Sequence, residues 1–267
     1  MVDGLRAYAL IVWMWTRSAL AYRTSFVLMT FGSGATAFLD FVAIMIMFTH
    51  VDALGGFSVA EVALLYGAAS TSLGLADLAL GTMDRLGTRI RDGTLDVLLV
   101  RPVPVFAQVA ADRFALRRIG RVVQGLLVLG WAVAGLDLTW TAGRVALLVT
   151  MVLSGAFLFG AVFALGGAFQ FVAGDAAEVQ NSFTYGGSTL LQYPPTIFAK
   201  ELVRGATFVV PLAFVNWIPA LRLLGRDDPL GLPGWVDFLS PVVAAAMCGL
   251  AAVLWRLGLR SYRSTGS

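Results

Sequence analysis

Three carboxylates sit where carboxylates are costly: Asp40, Glu61 and Asp77 each interrupt a long apolar run. An ionisable group at membrane depth is expensive and serves by default an ion, a proton or a buried partner. A proton relay needs a chain of titratable groups, and the sequence places neither a histidine nor a basic residue at comparable depth. Glu61 and Asp77 stand near the ends of their run, within reach of headgroups or arginines, and Asp40 can pair with a polar group inside a bundle. A structural role is the better reading of all three. Other chemistries lack material. The single histidine, His50, has Asp52 nearby but no second imidazole for a histidine-based metal site. Gly32-Ser33-Gly34 begins like a dinucleotide fingerprint, yet lies inside an apolar run and follows no strand. The single lysine, Lys200, follows alanine, so no Gly-x-x-x-x-Gly-Lys-Ser/Thr phosphate loop is present and the chain carries no ATP-binding motif. Cys248 stands alone, which excludes an intrachain disulfide.

The densest polar feature is the stretch 85–121, with eight arginines between apolar segments. Within it, Arg91, Asp92, Gly93, Thr94, Leu95, Asp96, Leu98, Leu99, Arg101 and Pro102 form a short amphipathic pattern. Asp92 or Thr94 can cap a helix whose Leu95, Leu98 and Leu99 share a face, while Asp96 and Arg101 face away and Pro102 and Pro104 stop it. Such a helix suits a groove in a soluble partner, or equally the headgroup layer of a membrane.

The elements that must position these residues follow from composition. Of 267 residues, 58% are hydrophobic and 13% charged, where a soluble domain carries about 25% charged residues; mean hydropathy is +0.82. The chain reads as all-α, a single polytopic membrane domain over 1–267. The first residues lack the pattern of a cleavable signal. Residues 5–24, with Arg6, Arg17 and Arg23 among aromatics, suit a helix lying in the membrane interface. Six transmembrane helices are expected at 25–48, 59–82, 119–138, 145–172, 200–224 and 238–257, with Pro211 and Pro219 kinking or ending the fifth. With alternating spans and the amino terminus inside, sixteen of the nineteen basic residues, Lys200 and Arg204 among them, fall on the cytoplasmic side. The basic charge is thus an orientation signal and does not point to nucleic acid. Small residues recur at Ala156, Gly160, Ala164 and Ala168 and at Ala68, Ser72 and Ala76, suited to close helix contact within or between subunits.

The elbow run Asp92 to Val103, then Glu178-Val179-Gln180-Asn181, Tyr185-Gly186-Gly187, Tyr193-Pro194, the stretch Phe208 to Ala220 and the tail Gly258 to Gly266 together resemble the ABC-2 type ABC transporter permeases, the six-span membrane subunits of bacterial exporters. The resemblance covers nearly the whole chain and departs at Pro194-Pro195, where one proline is expected. It implies a cytoplasmic coupling helix between spans 2 and 3, formed or flanked by Arg91 to Pro102, that docks on an ABC ATPase dimer, with Asp175, Glu178 and Asn181 near the same partner. It also implies a second permease subunit, identical or paralogous, surrounding membrane lipids, no cofactor in this chain with ATP and Mg in the partner, a bacterial cytoplasmic membrane with both termini cytoplasmic, and outward movement of an amphiphilic, lipid-like or antibiotic-like substrate. The rival is an ion- or proton-coupled carrier acting alone, with Asp40 or Asp77 titrating.

Overall fold

The computed structural model describes residues 2–174 and 176–263, and every regular element among them is helical. Helices α1 (Val2–Ala21) and α2 (Arg23–Phe48) are separated by Tyr22 alone. Helix α3 (Val59–Leu80) runs on through a 3-10 turn (Gly81–Arg85) into α4 (Leu86–Arg91), and the elbow continues with α5 (Leu95–Leu99) and α6 (Val105–Ala111). A 3-10 turn (Leu116–Arg118) leads into α7 (Ile119–Gly135), followed by α8 (Ala142–Ala173). Then α9 (Ala177–Asn181), a π turn (Ser182–Gly186) and α10 (Gly187–Leu191) join into one rod. Short pieces, α11 (Lys200–Arg204) and α12 (Trp217–Leu224), precede the last helix, α13 (Ser240–Ser261). Among the described residues, four helical stretches are long and apolar enough to cross a membrane: Arg23–Phe48, Val59–Arg91, Ala142–Ala173 and Ser240–Ser261. Helix α7, at 17 residues, is about 25 Å long.

Helix α3 is the centre. Every residue from Glu61 to Gly74 is buried, as expected of a helix apolar on all sides. Its start is fixed by a capping box, in which Ser58 N–H donates to Glu61 Oε2 at 2.7 Å and the Ser58 hydroxyl accepts from Glu61 N–H. Close approach to its neighbours rests on missing side chains: a Cβ on Gly67 would lie 2.7 Å from the Leu129 backbone nitrogen of α7, and one on Gly155 of α8 would lie 2.6 Å from Ser72 Oγ. The Ser72 hydroxyl donates to the Val152 carbonyl at 3.0 Å in the same seam. The alanine stripe of α8 continues this packing on another side, with Ala161 and Ala164 against Ala251 of α13. The small-residue seams therefore lie within the subunit.

The expected fifth span, 200–224, is not one helix. Pro211 has no N–H to give, and Val210 before it is extended, as the residue preceding a proline prefers. Pro219, by contrast, sits in the first turn of α12, where a missing donor is tolerated. The rod α9–α10 instead runs along α3 from the elbow to the opposite end of the bundle. There the Thr196 hydroxyl donates to the Gly55 carbonyl, in the turn between α2 and α3, at 2.8 Å. From that end the chain dips inward. The Asn216 amide donates to the carbonyls of Leu65 and Leu191, each at 2.9 Å, and the chain returns so that Arg226 forms a two-pronged ion pair with Glu61 at 2.9 and 2.8 Å. The Glu61 hydrogen bond raises the pKa of Arg226, so this latch stays charged. Lys200 and Arg204 accordingly sit towards the end opposite the elbow. The sequence pattern set them on the same side as the elbow; the helical rod over 177–191 carries them to the other end of the bundle.

Replacing Gly67 with alanine should force α3 from α7 and lower the thermal midpoint of the purified protein by several degrees, since overpacking costs about 1–3 kcal/mol. Gly130, with open space around its Cβ position, serves as the control, and Gly130→Ala should leave the midpoint unchanged or slightly raised.

Candidate functional site

The elbow closes one end of the bundle, and its helices are tied into it individually. Thr82 of the 3-10 turn donates to the carbonyls of Val109 and Ala110 in α6 at 3.0 and 2.7 Å. Arg89 of α4 is paired with Asp112 just beyond α6. The Gln108 amide donates to the carbonyls of Leu98 and Val103, at 2.9 and 2.8 Å, and so braces the turn between α5 and α6. Tyr8 of α1 donates to the Ala79 carbonyl at 2.9 Å.

Helix α5 presents a different face from the expected one. Leu95 and Leu98 are buried in the chain's own core, at 0% and 7% exposure, whereas Val97 and Val100 are exposed at 53% and 83% and Leu99 at 40%. The i, i+3 apolar pair is consumed by intramolecular packing, and the free apolar surface is Val97, Leu99 and Val100. Arg91, Asp92, Arg101 and Pro102 are also exposed. Gly93 supplies a positive φ of 66° that ends α4, and the Thr94 side chain caps nothing; its hydroxyl donates to the Arg89 carbonyl at 3.3 Å. Asp96 does not simply face solvent, because it accepts a 3.0 Å hydrogen bond from the Tyr262 hydroxyl beyond α13. Burial, then the bond and charge of Asp96, push the Tyr262 phenol above its usual pKa. Trp255 of α13 holds the same region with rings of Phe106 and Phe171 at centroid distances of 5.1 and 5.2 Å.

Behind the elbow lies an ionic knot that the sequence did not reveal. Asp77, buried at 4% exposure, pairs with Arg118 at 3.4 Å and accepts from the Tyr185 hydroxyl at 2.9 Å; Arg118 also donates to the Asp77 carbonyl. Arg121 lies over the Tyr185 ring at 5.3 Å. The expectation that no basic residue stands at the depth of Asp77 is therefore corrected: Arg118 folds back from the start of α7. A second buried polar group, Gln170, donates to the Met83 carbonyl at 3.2 Å and to Gln180 Oε1 at 3.0 Å, and accepts from the Gly87 backbone N–H. A lone glutamine in the uncharged run 145–172 was the available signal. Of the second proposed contact set, Glu178 is exposed, Asn181 is half-buried with its side-chain oxygen unpartnered, and Asp175 lies outside the described residues. Asp40 is exposed on α2, beside the exposed Phe38 and Leu39.

The model of the family described as ABC-2 family transporter protein matches residues 35–266. The chain belongs to this family. Members of the ABC-2 permease family are the transmembrane component of ABC transporters, distinct from the ATPase, and partner with an ABC ATPase subunit. No curated protein and no solved structure matches the chain. For this ABC-2 permease, Asp77→Leu should cost about 3–5 kcal/mol by leaving Arg118 buried without a counter-charge, while Asp77→Leu with Arg118→Met should recover most of it. Thermal midpoints of the two variants in the same detergent check this.

Proposed function

We propose that the chain is the permease of an ATP-driven exporter, and that the exposed ridge of α5, Val97, Leu99 and Val100 flanked by Arg91, Asp92 and Arg101, is the coupling surface that seats on the ATPase. The observation that carries this is the one-sided burial of α5: one face is anchored in the bundle, the other is apolar and open. A short helix held this way transmits a displacement, because its carbonyls, its neighbour α6 and α13 move with it. ATP and Mg would act in the partner, and ATP can bias the permease only through contacts that differ between its two states. The route inward would run from Asp96 and Tyr262 to α13, from Arg89 and Asp112 to α6, and from Met83 and Gly87 through Gln170 to Gln180 and the rod α9–α10. Glu178 and Asn181 stand near this end and would contribute to the same contact.

In this reading six crossings are made by α2, the α3–α4 stretch, α7, α8, the rod α9–α10 and α13, with 200–224 as a re-entrant pair at the outer end, and α1 lies in the interface. Both termini are then cytoplasmic. Moving Lys200 and Arg204 outside leaves fourteen of the nineteen basic residues inside, still the required bias. A second permease subunit would cover α2, whose exposed side bears Asp40 beside Phe38 and Leu39, since a carboxylate facing hydrocarbon is costly. The broad apolar flanks suit an amphiphilic or lipid-like substrate better than a small ion.

Val97→Asp with Val100→Asp should reduce permease-stimulated ATP hydrolysis of the co-purified ATPase at least tenfold without lowering the thermal midpoint, whereas Leu95→Asp should destabilise the permease itself. Unchanged stimulation by the Val97/Val100 variant would overturn the assignment.

A further inference from the structure

A cavity of about 440 Å³ opens between α1, the start of α2 and the segment 113–117 that leads from the elbow to α7. Its polar rim is formed by Arg113 and Arg117 with Ser18 and Ser25, its aromatic wall by Trp15 and Tyr22, and its far side by Phe26 and Met29. Among the described residues no carboxylate lines it, although the stretch 85–121 elsewhere matches arginine to acid in the pairs Arg89–Asp112 and Arg118–Asp77. Both rim arginines are exposed. Arg113 is, among the described non-glycine residues, the one with positive φ, at 48°, a conformation that costs of order 1 kcal/mol or more and persists where the surroundings impose it. Here Asp112, held by Arg89, fixes the preceding residue. Beside this lining, Val27, Leu28 and Phe31 of α2 are exposed apolar side chains.

We propose that this cavity binds the headgroup of an anionic phospholipid. The two guanidiniums meet the phosphate, which their planar donor forks fit. Trp15 and Tyr22 sit at headgroup level, as interfacial aromatics do, and the acyl chains run along Phe26, Met29 and Phe31. The size is within the range of small-molecule sites, about 300–1,000 Å³. A lipid held there bridges α1 to the segment leaving the elbow, so it would fix the interfacial helix against that segment. The site rests on the membrane placement of the chain and is independent of the ATPase assignment.

Native mass spectrometry of the full chain in non-ionic detergent, titrated separately with dioleoylphosphatidylglycerol, dioleoylphosphatidylcholine and inorganic phosphate, tests it. Phosphatidylglycerol should bind at least tenfold more tightly than phosphatidylcholine. Arg117→Gln should weaken it about fivefold and Arg113→Gln with Arg117→Gln about thirtyfold, with the lipid-free thermal midpoint unchanged; Arg117→Lys should retain most of the binding. Equal affinity for the two lipids would reduce the cavity to a non-selective apolar groove. Inorganic phosphate binding as tightly as phosphatidylglycerol would make it an anion site with no lipid character. Either result, or a phosphatidylglycerol affinity unchanged in the Arg117→Gln variant, overturns the proposal.

Discussion

A buried carboxylate must have a counter-charge, and in this protein that requirement organises one end of the bundle. Asp77 lies near the carboxyl end of the central helix, where it takes Arg118 from the start of α7 and Tyr185 from the rod α9–α10. Three segments remote in sequence are thereby fixed at one depth. The same contact crowds the chain after α3: Gly81 lies so close to Asp77 and Arg118 that a side chain there would collide with both. Removing either charge alone exposes the energetic imbalance, because desolvation of the survivor is no longer offset.

Packing around α3 does the rest. Between apolar helices in lipid there is no hydrophobic drive to associate, so contact area and close approach carry the energy. Gly67, Gly74, Gly125 and Gly155 let α7 and α8 come within reach of the α3 backbone, and the hydroxyl of Ser72 then finds a carbonyl across the seam. At the far end, Glu61 serves twice, completing the cap of α3 and holding Arg226, whose guanidinium also lies over Phe57 at 5.0 Å. The two ends of α3 are thus both ionically latched, one to Arg118 on the elbow side and one to Arg226 beyond α12.

The elbow shows how an amphipathic pattern can mislead. Leu95 and Leu98 recur with helical spacing and would suit a partner's groove, but periodicity only says that a face is buried and not against what. The bundle itself takes that face, through a helix of five residues, and leaves Val97 and Val100 outside. On the proposed reading this division is what a coupling element needs, a rigid root and an open crown.

The sequence by itself determined the class of the protein. Composition, the length of the apolar runs 25–48, 59–82 and 145–172, and the clustered arginines point to an all-helical membrane protein; the ordered motifs from Asp92 to the tail carry the resemblance to the ABC-2 family, and proline chemistry at Pro211 already spoke against a continuous fifth helix. Tertiary structure decided which segments pair. The path of α9–α10 along α3 was hidden because Gly186, Gly187, Ser188 and Thr189 interrupt any apolar run between 172 and 200, so no span was expected there. The ionic knot was hidden because Arg118 and Asp77 are 41 residues apart, and a charge pair formed by chain reversal leaves no local periodicity. Local pattern fixes what each helix is able to bury; only the assembled bundle assigns each buried face its partner.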